Sequence, residues 1–132
     1  MRANNWASQL HAIIESHRTR QFEWGSNDCC LFVARVVDAM TGSTHEEKLL
    51  QMYSSERTAL EFIAPHGSLS NTVSVFLGPP SNARATRGDV VLFDGGEGDA
   101  VGICTGPMIV GVGPDGLRSV PREEIRQVWR IV

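Results

Sequence analysis

The stretch from Asn27 to Gly42, NDCCLFVARVVDAMTG, limits the possible folds of this chain more than any other. It reads as a helix with a stop signal at each end. Asn27 or Asp28 suits the N-cap, where a side-chain oxygen accepts from free backbone N–H groups. Gly42 suits the left-handed turn that closes a helix. Between the caps only Arg35 and Asp38 are charged. A helix apolar on nearly every face must be packed on several sides. The sequence therefore predicts a small domain built round this helix, with Cys29 and Cys30 in its first turn.

That position has chemical meaning, because unpaired N–H groups and the macrodipole at a helix start favour thiolate over thiol. Two readings of the cysteines stand side by side. They are small core residues, as free cysteines commonly are. Or one of them occupies the place of a catalytic nucleophile, which also requires a base and some exposure.

Composition narrows the function classes. A chain of 132 residues forms one domain, residues 1–132, with room for a core. The net charge of −3, with acids and bases mixed and no basic stripe, disfavours nucleic-acid binding. No apolar run approaches a membrane span of about 18 residues. The opening Met1-Arg2-Ala3-Asn4-Asn5 leads into no apolar signal-peptide core. The cysteines do not pair into a disulfide framework, since neighbours such as Cys29 and Cys30 fit bridge geometry poorly. Paired Cys-x-x-Cys spacing is missing, so neither a metal nor another cofactor is called for.

In chain order, Asn5 to Thr19 reads as a helix with Trp6, Leu10, Ile13, Ile14 and His17 on one stripe. Phe22 and Trp24 sit in a short loop before the central helix and are candidates to line a cleft beside the cysteines. Ser43 to Lys48 reads as a polar surface connection, with at most one helical turn from Leu49 to Tyr53. Helices are predicted over Ser55 to Ala64 and Ser70 to Leu77, closed by Pro65 and by Gly78-Pro79-Pro80. The texture then changes to short β-rich runs: Asp89–Phe93, Ala100–Thr105, Met108–Val112, Leu117–Val120 and Gln127–Ile131, with a helical turn at Pro121–Ile125. Helices first and closely spaced strands after predict an α+β domain, its central helix packed on an antiparallel sheet.

Three motifs in this order resemble the NlpC-type, papain-like cysteine peptidases. An Asp-Cys-Ser-Gly-Leu-Val-like helix start corresponds to Asp28-Cys29-Cys30-Leu31-Phe32-Val33. A Gly-Asp-Val/Leu-Val-Phe-Phe-like strand corresponds to Gly88 to Phe93, and a His-Val-Gly-Ile-Tyr-like strand to Ala100 to Cys104. The whole chain is similar to small phage and prophage proteins encoded among tail genes. Those share a Trp-Gly-x-x-Asp-Cys motif, a Leu-Gly-Pro-Pro turn and a Trp-Arg-Ile/Val ending, here Trp24 to Cys29, Leu77 to Pro80 and Trp129 to Ile131.

The resemblance implies a papain-like fold with Cys29 at the nucleophile position and Trp24, Asp28 and Cys30 as cleft-lining candidates. It places Ala100 where the general-base histidine belongs, and the strand Met108 to Val112 offers no polar residue to orient one. A papain-like cysteine needs an imidazole to hold its thiolate and protonate the leaving amine. The expectation is thus a pseudoenzyme: a tail-tip or baseplate component in the virion, made in the host cytoplasm and bound to other tail proteins. The alternative is an active peptidase or amidase on peptidoglycan stem peptides, with a base recruited from outside the motif. His66 is its first candidate, while His11 and His45 are expected to be solvated. A third expectation is a metal or redox site joining Cys29, Cys30 and Cys104, which requires Cys104 to face the central helix.

Overall fold

A computed structural model describes residues 1–132. Five helices precede five strands: α1 Trp6–His17, α2 Cys29–Thr41, α3 His45–Met52, α4 Glu56–Ile63 and α5 Leu69–Leu77, then β1 Val90–Asp94, β2 Asp99–Cys104, β3 Met108–Gly113, β4 Gly116–Pro121 and β5 Ile125–Trp129. The strands form one antiparallel sheet in the order β4-β3-β2-β1-β5. The fold is therefore α+β. No helix is long and apolar enough to cross a membrane.

The all-round apolar character of α2 has a direct cause. Phe32, Val33, Val36, Val37 and Met40 pack against Leu10 of α1 and against the sheet residues Val90, Leu92, Val101 and Ile103. Leu31 and Ala34 face the other way, onto Leu49, Tyr53 and Ala59. With α2 buried on two sides, each of its large apolar side chains contributes roughly 1.5–3 kcal/mol. The far face of the sheet carries a smaller cluster, Val91, Phe93, Cys104, Ile109 and Val128, covered by Ala85. Gly42, with φ +75°, closes α2 in the left-handed region, as its sequence position predicts.

Two elements depart from the sequence reading. The polar run Ser43 to Lys48 is not a simple connection, because α3 begins at His45. The Asp38 carboxylate on α2 accepts from the His45 and Glu46 N–H groups, both at 2.9 Å, and so starts α3 from outside the helix. A cap supplied by another helix leaves no local signal. The last strand also begins and ends two residues earlier than the expected Gln127–Ile131, at Ile125–Trp129. Its register with β1 shifts between Leu92 and Phe93, a bulge that period-2 alternation does not reveal.

Both chain ends are tied to one carboxylate. Asp89, fully buried, accepts from the Thr86 N–H (2.9 Å) and hydroxyl (3.0 Å), the Ile131 N–H (3.1 Å) and the Arg2 guanidinium (3.1 Å), with Arg130 at 3.3 Å. Arg2 also donates to the Ile131 carbonyl at 2.5 Å and lies over the Trp6 ring. Removing a buried carboxylate from such a set strands its donors. Asp89→Ala is expected to cost about 3 kcal/mol in urea unfolding. The half-exposed Arg130, replaced by Ala, is expected to cost under about 1 kcal/mol. Equal losses for the two variants would refute the central role of Asp89.

Candidate functional site

The site is built from the turn that leads into α2. Glu23 and Asn27 exchange backbone hydrogen bonds, Glu23 N–H to Asn27 O at 3.0 Å and Asn27 N–H to Glu23 O at 2.7 Å. Gly25 sits at φ +79°, and a Cβ there would lie 2.6 Å from the Ser54 backbone, so only glycine fits. Its N–H donates to Asp28 Oδ2 at 3.0 Å. Asp28 Oδ1 accepts from the Leu31 N–H at 3.0 Å and from the Tyr53 hydroxyl at 2.8 Å. Asp28, not Asn27, is therefore the N-cap of α2. Its side chain is fully buried and fully engaged, so it lines no accessible cleft.

This cap delivers Cys29 and Cys30, both half-buried, to the start of α2, where α2 crosses β2. The Cys30 thiol, donating towards the Cys29 sulfur, holds the Cys29 thiol below its ordinary range. Burial opposes this, the Val101 N–H assists it, and the Asp28 charge opposes it. The same bond, together with burial and the charges of Cys29 and Asp28, pushes the Cys30 thiol well up. The two sulfurs thus titrate as a coupled pair in which Cys29 is the thiol that ionises first. Burial, followed by the nearby charges of Cys30 and Asp28, pushes the Tyr53 phenol up, so it remains a hydrogen-bond donor.

The groups required to turn this thiol into a nucleophile lie elsewhere. Ala100 packs with the far-face cluster, while Val101 and Ile103 are the β2 residues that face α2. The placement of Ala100 at the general-base position is thus corrected: the likeness to the histidine strand is one of order, not of side-chain direction. Asp99 is half-exposed and pairs with Arg126 at 3.3 Å. His66 does not fold over Cys29; its ring packs edge-on against Phe62, at 5.8 Å between centroids, and Phe62 stacks on Tyr53. His11 is exposed on α1. His45 is not solvated, because its Nδ1 lies 3.0 Å from Asp38 and its ring packs on Phe76. His17 is buried at the end of α1 against Phe32.

The expected three-cysteine site does not form. Cys104 faces away from α2, in the cluster with Phe93 and Ile109, and the sheet separates it from Cys29 and Cys30. Period-2 alternation on β2 dictates this once Val101 faces the helix.

Trp24 packs edge-on against Phe22, 5.2 Å between centroids. With Cys30 it lines an apolar cavity of about 60 Å³ between α2 and the α3–α5 layer, whose walls include Val37, Tyr53, Phe62 and Phe76. Sequence reasoning missed Tyr53, because its tie to Asp28 spans 25 residues and has no local mark. The role of Gly25 was within reach, since the Trp-Gly-x-x-Asp-Cys motif contains it.

The chain belongs to the family described as a domain of unknown function, DUF6950, whose profile matches residues 1–131. No curated protein matches it.

The electrostatics of the sulfur pair can be read by alkylation, because Cys104 is buried and Cys30 stays protonated. Cys30→Ala removes the main cause that lowers the Cys29 thiol. The midpoint of the iodoacetamide rate against pH is expected to move upward. Asp28→Asn removes a charge that raises the thiol and is expected to move it downward. Movement in the same direction for both variants would contradict this account.

Proposed function

We propose that this chain is a catalytically silent, papain-like domain of the NlpC type that serves as a structural or assembly component of a phage tail, near the tip or baseplate, with other tail proteins as its partners. The observation that carries the silence is the environment of Cys29: β2 presents Val101 to α2, and the four histidines are held at other places by Phe32, Asp38, Phe62 and solvent. A thiolate held by backbone N–H groups and a neighbouring thiol is stabilised, but amide hydrolysis also needs an acid for the leaving nitrogen. The tail assignment is supported by the resemblance carried by Trp24 to Cys29, Leu77 to Pro80 and Trp129 to Ile131.

One observation favours a second reading, an active peptidase or amidase on peptidoglycan stem peptides: the lowered Cys29 thiol. Turnover separates the two. The protein and its Cys29→Ala variant are expected to leave stem peptides equally intact. Cleavage that disappears in the variant would establish the peptidase. The assembly role has its own readout, mass spectrometry of purified virions and tails, where the chain is expected as a stoichiometric component. Virions free of the chain would refute that role.

A further inference from the structure

We infer that His17 is the proton-sensitive pin of a buried latch that fixes the lead-in turn of α2 and the start of α3, and that acidification opens this latch. This goes beyond the assembly reading and does not depend on it.

The ring is 2% exposed. Its Nδ1 lies 2.8 Å from the Ile13 carbonyl, which only accepts, so Nδ1 carries the proton. The Ser16 hydroxyl lies 3.0 Å from the same nitrogen. Nε2 faces two guanidinium donors, Arg35 at 3.3 Å and Arg20 at 3.4 Å, so it is the bare acceptor of a neutral ring. Arg35 in turn donates to the Ser26 carbonyl, in the turn before Cys29, and to the Glu46 carboxylate in the first turn of α3. One side chain of α2 therefore joins the end of α1, the lead-in turn and α3 through His17.

The charged groups facing the ring are Arg20 from the segment after α1, Arg35 from α2 and Glu46 from α3. Protonating Nε2 abolishes the acceptor and sets a third cation beside two guanidinium groups. The Glu46 carboxylate, already paired with Arg35, opposes this only in part. Burial is the main cause that lowers the His17 pKa below its ordinary 6.5; the Ile13 bond opposes it and both arginines add to it. The sign follows. The unfolded or opened state binds the proton more readily, so the latch is intact above the ordinary value of 6.5. It weakens as pH falls from there towards the lower folded value. One proton is exchanged, so the opening constant rises by up to about tenfold per pH unit in that window.

The test is amide hydrogen exchange on the full chain between pH 7.5 and 5, with rates converted to protection factors. Protection at residues 23–28 and 45–48 is expected to fall by up to about tenfold per pH unit, while protection in β1 and β2 falls less. His17→Gln keeps a neutral acceptor and removes the titration, so this pH dependence is expected to vanish. An unchanged slope in that variant, or an equal fall in the sheet, would overturn the inference. Should His17→Gln fail to fold, the ring NMR titration of the natural protein decides. A midpoint below 6.5 supports the latch, and one at or above 6.5 refutes it.

Discussion

The carboxylate of Asp28 holds together three parts of the chain. It accepts from the Gly25 N–H, the Leu31 N–H and the Tyr53 hydroxyl. The first fixes the turn before α2, the second starts α2, and the third fastens the segment between α3 and α4 beneath it. A buried charge is costly unless each lone pair finds a donor, and here charge-assisted bonds from three directions offset that cost. The same carboxylate sets the sulfur chemistry, because its charge opposes ionisation of Cys29 while the cap it provides places Cys29 at the helix start. Support and chemistry therefore draw on one group, and the Trp-Gly-x-x-Asp-Cys motif is legible as architecture without any reaction.

What the sequence revealed follows the reach of each interaction. The ends of α2 and the start of α4 at Ser55 rest on contacts a few residues apart, and the sequence showed them, whereas α5 begins at Leu69 under a Ser68 cap, just ahead of the expected Ser70. What it hid is held across the fold. Asp38 starts α3, Tyr53 reaches Asp28, and Asp89 gathers Arg2 and Ile131. The facing of β2 was hidden for another reason. Alternation states which residues share a face, but not which face meets the helix, and a motif match to Ala100 chose the wrong one.

The sulfur pair illustrates how far a helix start goes on its own. A neighbouring thiol and two backbone N–H groups suffice to lower the thiol against the opposing effect of burial. They leave no path for a proton to a departing group. Beside Cys30 the apolar cavity is walled by Trp24, Tyr53 and residues of α4 and α5, an environment suited to apolar side chains and not to carrying water.

Arg2 and Ile131 meet directly, at 2.5 Å, over the same buried carboxylate. The segments around Arg2 and Ile131 thus lie side by side across the Arg2 side chain. A host protein can carry such a module inside one of its own surface loops with little distortion.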